Sequence, residues 1–309
     1  MILKKPKFWD DKIGLYSVLL FPITLITLLL IFIKKKIIKP IKFDIPIICV
    51  GNIYLGGTGK TPASILLANE LTSMGKKTAI LRKFYKSHVD EYNLIKSNFK
   101  NLILNKNRIN GIFEAVKVGY DCIVLDDGFQ DYKIKKSLNI ICFNNNQKLG
   151  NGFVIPAGPL RENLKSLKDA QIILINGKKD LKFEEKILNI NRKLKIFYSS
   201  YRPLNLENFR GKKLMAIAAI GNPINFFELL KRNNLTLEEE KIYPDHYEFK
   251  KKEIDSLIKY AEENNYNLIM TEKDYFKLKE ISENELDYLK VSLEIENFEN
   301  FKKVIRSHV

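Results

Sequence analysis

Cysteine is scarce in this chain: Cys49, Cys122 and Cys142 are its only three, each inside an apolar run and none in a CxxC pair. That pattern excludes a disulfide framework and gives no zinc-site spacing, and it fits a reducing cytosol. Histidine is as scarce, with only His88, His246 and His308, so imidazole chemistry has three candidates. Proline and glycine, at 10 and 15 residues of 309, are too few for a collagenous or low-complexity chain. With 45% hydrophobic and 28% charged residues the composition is that of a folded protein, without an internal repeat or a long flexible linker. Acidic residues are also short, 36 against 52 basic ones, and the net charge of +16 concentrates any anionic partner: nucleic acid, membrane surface or phosphorylated substrate. A general bias toward lysine accounts for the same excess, and charge alone does not choose among the three.

One stretch has no charge at all. Ile13–Ile33 is mostly Leu, Ile, Val and Phe, and as a helix it reaches about 30 Å, the thickness of a bilayer core. Lys34, Lys35, Lys36 and Lys39 follow it, with no small-residue cleavage pattern, so an uncleaved anchor is expected rather than a signal peptide. The other reading is a buried helix of a soluble core, but the run lacks a one-sided polar stripe, and the lysine block suits an anionic lipid surface. Lys4, Lys5, Lys7 and Lys12 precede the run while Lys34, Lys35, Lys36, Lys39 and Lys42 follow it, so the positive-inside count barely favours the C-terminal side as cytoplasmic. Pro22 keeps a kinked or re-entrant insertion open.

From Ile45 onward short β-branched runs alternate with amphipathic stretches, the pattern of a βαβ series and a mostly parallel sheet. Strands are predicted near 46–50, 77–82, 101–104, 122–126, 139–143, 171–175, 195–199 and 213–218, and helices over 60–74, 107–118, 160–168, 184–192 and 223–233. The expected organisation is an anchor with its basic flank over 1–42, an α/β core over 43–233, and a smaller α/β subdomain over 234–309. In that last part 235–242, 268–270 and 288–294 are expected to be extended, and 250–264 and 298–304 helical.

The most informative segment runs from Ile47 to Pro62: an apolar strand, then Gly56-Gly57-Thr58-Gly59, then Lys60-Thr61 opening a helix. It reads as a nucleotide phosphate loop of the P-loop NTPase kind. Glycines let backbone amides turn around phosphate oxygens, and the helix adds its free N–H groups and dipole. Lys60 then reaches the β- and γ-phosphates, and the Thr61 hydroxyl ligates Mg²⁺. The strict G-x-x-x-x-G-K-[ST] pattern is not met, because Tyr54 stands at its first glycine. Farther on, Cys122-Ile123-Val124-Leu125-Asp126-Asp127 is a buried-strand run ending in two carboxylates, the form that delivers an acidic Mg²⁺ ligand.

Read with Asp126-Asp127-Gly128-Phe129-Gln130, Pro156-Ala157-Gly158-Pro159-Leu160-Arg161-Glu162, Ile220-Gly221-Asn222-Pro223, Tyr243-Pro244-Asp245-His246-Tyr247 and Thr271-Glu272-Lys273-Asp274, the chain closely resembles the tetraacyldisaccharide 4′-kinase family of lipid A biosynthesis. The resemblance implies ATP-dependent phosphorylation of a membrane-borne acylated glucosamine disaccharide. It implies Lys60 and Thr61 at the nucleotide phosphates, Asp126, Asp127 and Glu162 around Mg²⁺, and Arg161 adding positive charge. Arg108 resembles the family's arginine at the equivalent helix start. Val89-Asp90-Glu91 matches the family's Gly-Asp-Glu, with Val89 for the glycine, and makes Asp90 the candidate base, working with His246 and its neighbour Asp245. Leu81-Arg82-Lys83-Phe84-Tyr85-Lys86-Ser87-His88 shortens the family's Ser-Arg-Gly-Tyr region, and Asp131 stands where the family often has histidine. The resemblance further implies a bacterial inner-membrane location, a catalytic domain facing the cytoplasm, and no obligate protein partner.

The chemistry is coherent without the family name: phosphoryl transfer needs charge neutralisation, alignment and an acceptor for the hydroxyl proton. The rival class is a membrane-tethered P-loop ATPase acting as a conformational switch, which releases phosphate without an acceptor. A nucleic-acid-binding role lacks a base-reading motif, and the anchor argues against it.

Overall fold

The computed structural model describes residues 6–10, 13–245, 247–279, 281–282 and 286–309. Helix α1 (Leu15–Ile37) precedes β1 (Ile47–Gly51), α2 (Lys60–Ser73), β2 (Thr78–Lys83), α3 (Val89–Asn98), β3 (Leu102–Asn105), α4 (Arg108–Val118), β4 (Cys122–Asp126) and β5 (Leu138–Asn144). Then come β6 (Ile172–Asn176), α5 (Leu181–Leu188), β7 (Lys195–Pro203), β8 (Lys213–Ala218), α6 (Pro223–Arg232) and β9 (Thr236–Ile242). The series closes with α7 (Lys251–Glu263), β10 (Asn267–Thr271), α8 (Glu272–Leu278), β11 (Asp287–Leu289), β12 (Val291–Ile295) and α9 (Phe298–Arg306).

The chain divides into two units. Among the described residues the larger holds those up to Phe84, Phe99–Ser200 and Glu294–Val309; the smaller holds Tyr85–Asn98 and Tyr201–Leu293. The larger unit is built on an eight-stranded sheet in the order β12-β7-β6-β5-β1-β4-β2-β3, whose neighbours from β7 to β3 all pair in parallel. Parallel strands covered on both faces carry continuous apolar runs; β1 and β4 are accordingly buried at every position. Their register sets Val50 beside Asp126, bringing the ends of both strands to one edge, where ligands of open α/β sheets bind.

The smaller unit has its own parallel sheet, β11-β10-β8-β9, with separate apolar cores on its two faces. Strand β8 and helix α6, expected from the sequence in the core, belong here because β8 pairs with β9 and β10. Helix α3 also belongs to this unit and was not foreseen, since its buried side chains are Asp90, Tyr92 and Ile95, a narrow face with a carboxylate on it. The helix expected over 160–168 is instead a 3₁₀ turn, Leu164–Asp169. Backbone donors just before it are committed elsewhere: Leu160 N–H to Phe153 O (3.0 Å) and Arg161 N–H to Ile53 O (2.7 Å).

Candidate active site

In the larger unit the loop after β1 is braced before it turns. Tyr54, at the position where a glycine was expected, is fully buried and its hydroxyl bonds Asp10 Oδ1 at 3.0 Å. Residues 53–55 run alongside 159–161 as an extended pair, with Leu55 N–H on Pro159 O at 2.8 Å. The loop therefore bends later, at Gly56 and Gly59, whose φ values of 140° and 85° suit a residue without a side chain. Asn52 Nδ2 donates to Gly56 O (3.3 Å) and to the buried Thr58 hydroxyl (3.0 Å), fixing the turn from inside. Gly59 is the N-cap of α2, so Lys60 and Thr61 open the helix as expected.

Thr61 and Ser64 donate to the two oxygens of the fully buried Asp126, each at 3.1 Å. Arg82, at the end of β2, closes this cluster with an ion pair to Asp126 Oδ2 and a 3.2 Å bond to the Thr61 hydroxyl. Sequence reasoning quoted Arg82 only within the shortened Ser-Arg-Gly-Tyr region and gave it no role; an arginine directly after the apolar run Ala79–Leu81 of β2 was the available signal. Asp127 follows with φ 58° and turns its carboxylate to a different set of partners. Arg161 Nη1 lies 2.9 Å and Lys60 Nζ 3.8 Å from Asp127 Oδ1, and Arg108 Nη2 donates to the Asp127 carbonyl at 2.7 Å. Asp131 takes up Arg108 from the other side at 3.4 Å. Six of the sequence candidates, Lys60, Thr61, Arg108, Asp126, Asp127 and Arg161, thus stand in one connected cluster beside the glycines of the loop.

Glu162 takes another direction. It is buried, and its Oε2 is 2.7 Å from Lys35 Nζ in the last turn of α1. Sequence reasoning saw Lys35 only as part of a lipid-facing block, since nothing in its neighbourhood signals a partner 127 residues downstream.

Electrostatics follow from this packing. Burial pulls Lys60 below the ordinary lysine value, with Asp127 opposing. Burial pushes the Asp127 carboxyl up, but Lys60, Arg161 and Arg82 outweigh it and hold the group well below the usual range. A carboxyl lowered on folding stabilises the fold above its unfolded value of about 4 and loses that contribution as pH falls through the lowered value. Urea melts between pH 6 and 2 should therefore show an acid limb that is shallower in Asp127→Asn; equal limbs would sink the assignment. The Cys49 thiol is pushed by burial up to about 11, and Cys122 and Cys142 up to about 12, so none is an activated nucleophile.

The smaller unit carries the remaining candidates. Asp90 is buried in the first turn of α3, its Oδ1 accepting from Glu91 N–H at 2.9 Å. Lys273 Nζ lies 3.6 Å from Asp90 Oδ2, 3.5 Å from Glu91 Oε1 and 3.2 Å from Asp245 Oδ1. Asp90 and Asp245 are thus brought to one ammonium, while His246 lies outside the described residues.

The atoms of this cluster able to ligate a cation are the oxygens of Thr61, Asp126 and Asp127, the ligand type that suits Mg²⁺. Among the described residues no group of three or more His, Cys, Asp or Glu forms a closed metal cage. An incomplete oxygen set fits a cation that draws its other ligands from phosphates and water.

The family model for tetraacyldisaccharide-1-P 4′-kinase matches residues 16–309. The chain belongs to the tetraacyldisaccharide-1-P 4′-kinase family. The tetraacyldisaccharide 4′-kinase of Pelagibacter ubique is 40% identical over 97% of this chain and 96% of its own length, and that of Rickettsia akari 32% identical over 94% and 93%. The crystal structure of LpxK from Aquifex aeolicus in complex with ATP has the same fold, with a TM-score of 0.71 at 22% identity over 94% of this chain and 98% of that one. Against the kinase-family pattern quoted above, Asp131 is a substitution with a visible consequence, since its carboxylate holds Arg108.

Proposed function

We propose that this chain transfers the γ-phosphate of ATP to the 4′-hydroxyl of a tetraacyl glucosamine disaccharide 1-phosphate, the step that names its family. The observation that carries the reading is the convergence of Lys60, Arg161 and Arg108 on Asp127, next to the Asp126–Thr61 pair and the Gly56–Gly59 turn. Amides of Gly56, Gly57, Thr58 and Gly59 bind phosphate oxygens, and Lys60, Arg161 and Arg108 neutralise the charge that develops on them. Thr61, Asp126 and Asp127 would hold Mg²⁺, which would supply further neutralisation on the phosphates; Glu162, which the resemblance places with them, is instead paired with Lys35. Asp90 accepts the proton of the attacking hydroxyl, with His246 and Asp245 as its partners.

Helix α1 supports a membrane-surface enzyme, and the use of ATP puts its catalytic domain on the cytoplasmic side. Its only buried residues are Ser17 and Thr24, whereas Leu15, Leu19, Ile26, Leu30 and Ile37 are among many exposed apolar side chains. A soluble core helix buries the opposite set. The polar pair docks on one loop: Asn151 Nδ2 donates to Ser17 Oγ at 3.0 Å, and Thr24 Oγ1 donates to Val154 O at 3.0 Å while accepting from Ala157 N–H at 3.1 Å. Trp9, before the helix, reaches Pro156 O at 3.0 Å, and Lys35, at its end, reaches Glu162. If a helix held to the same loop from both ends spanned the bilayer, it would draw polar residues 151–162 into hydrocarbon, which supports a placement of α1 in one leaflet with its apolar face down. An acyl-chained substrate, held in the bilayer by about 0.8 kcal/mol per buried CH₂, is met there.

This placement is open to labelling, because the native cysteines are buried and unreactive. Tyr16→Cys and Lys39→Cys, made singly, should both resist an impermeant maleimide in intact spheroplasts and both react after lysis; labelling of one alone before lysis would mean that α1 spans.

The reaction itself is tested with γ-³²P-ATP and detergent-dispersed tetraacyl disaccharide 1-phosphate, comparing wild type, Lys60→Ala and Asp90→Ala. Labelled lipid with wild type that disappears in both variants is the expected result. Release of phosphate without labelled lipid would replace the kinase with the switch ATPase.

A further inference from the structure

The three residues after Thr271 each hold something in place. Thr271 caps α8, accepting from Asp274 N–H at 3.2 Å and donating to Asp274 Oδ2 at 2.7 Å. Asp274 is buried and also accepts from Ala219 N–H at 3.0 Å, which fixes the turn to the end of β8. Glu272 is buried and accepts from Asn98 Nδ2 at 3.2 Å, bolting α8 to the far end of α3. Lys273 lies between these two anchors, its side chain 16% exposed, so its ammonium has little freedom to choose partners. It meets carboxylates from two places at once: Asp90 and Glu91 from α3, and Asp245 from the segment after β9.

We propose that Lys273 is a positioning residue for phosphoryl transfer, which keeps Asp90 an ionised, fixed carboxylate and ties Asp245 to it. The inference rests on the reading of Asp90 as the base. Three carboxylates gathered on one small patch repel one another, and without a cation among them one takes a proton. Of the three, only Asp90 is assigned a proton to accept, so protonation there abolishes its role. Lys277 on α8 interacts with Asp90, with Asp274 of its own helix and with Glu248, and His88 lies 3.1 Å from Glu91 Oε2. Lys277 is a second ammonium on the same helix, but its charge is disfavoured by burial, although Asp90 opposes this. The Lys273 ammonium lies within 3.6 Å of all three acids.

The test uses the full-length enzyme in the lipid phosphorylation assay from pH 5.5 to 9.5, comparing wild type, Lys273→Met, Lys273→Arg and Asp90→Asn, with thermal melts of each. An opposite charge within about 4–6 Å of a carboxylate displaces its titration by about 1–3 units. The acid limb of kcat in Lys273→Met is therefore expected to move up by about one pH unit or more, with activity partly recovered at high pH. KM for ATP should stay within about twofold, because the phosphate-loop residues are untouched. Lys273→Arg keeps the charge and should recover most of the activity at neutral pH. An unmoved acid limb in Lys273→Met, or a loss that is equal in Lys273→Arg and tracks a lowered melting temperature, overturns the proposal and leaves Lys273 a structural residue. Asp90→Asn separates the two levels: an active Asp90→Asn defeats the base reading and this proposal with it, whereas an inactive one beside an unmoved Lys273→Met profile defeats only the second.

Discussion

Lys60→Ala should lower lipid phosphorylation about 10²–10³-fold while the protein stays folded, since removing one preorganised group that stabilises developing charge raises the barrier by about 3–4 kcal/mol. Both halves of this expectation follow from where the ammonium sits. It opens α2 immediately after the Gly56–Gly59 turn, with its side chain only 12% exposed. So little of it is exposed that bulk water is a poor substitute for it when charge builds on a phosphate. Burial disfavours its charged form, and the compensating carboxylate is Asp127. Deleting the side chain therefore also deletes a desolvation cost, and Asp127 keeps Arg161 at 2.9 Å as a closer partner than the lysine was at 3.8 Å. A melting temperature near that of wild type together with the loss in ³²P transfer is the expected pair of results. Retention of more than about a tenth of the activity would exclude Lys60 from transition-state stabilisation. Loss of the fold would mean that the Lys60–Asp127 pair is structural first.

Much of this site could be read from the chain because its chemistry is local. A strand, a glycine-rich turn and Lys60-Thr61 are contiguous, and backbone freedom at Gly56 and Gly59 is a property of the residues themselves. The paired strands β1 and β4 were legible for a similar reason: parallel strands buried on both faces need uninterrupted apolar runs, and such runs ending in Gly51 and in Asp126 mark their ends. Helix α1 was recognisable by its uncharged length, but its polar docking face was not, because Ser17 and Thr24 acquire meaning only from Asn151, Val154 and Ala157. Long-range ion pairs failed in the same way. Glu162 with Lys35 and Asp90 with Lys273 join residues 127 and 183 positions apart, and no periodicity records such a pairing. Helix α3 escaped because its inward face includes the Asp90 carboxylate, and a periodicity sought in apolar residues misses a helix that buries charge.

Arg82→Met should cost about 3–5 kcal/mol of stability, the penalty for leaving one member of a buried ion pair without its partner. The Arg82 side chain is 6% exposed and that of Asp126 is fully buried, so water cannot take the place of the missing guanidinium. Thr61 and Ser64 still donate to the carboxylate, which places the cost nearer the lower end of that range. Without the guanidinium the Asp126 carboxylate also loses the contact that fixes its position, and this is the group assigned to hold Mg²⁺. Stability and activity should therefore fall together in Arg82→Met, although Arg82 has no assigned contact with the reacting groups. The double variant Arg82→Met with Asp126→Leu separates the two effects, because an apolar pair of similar volume carries no desolvated charge. It should melt closer to wild type than the single variant does, while remaining inactive for want of Asp126. Denaturant melts of the three proteins measure this directly. A single variant within about 1 kcal/mol of wild type would mean that the hydroxyls of Thr61 and Ser64 suffice for the buried carboxylate. In that case Arg82 would have to be explained by the nucleotide rather than by the fold.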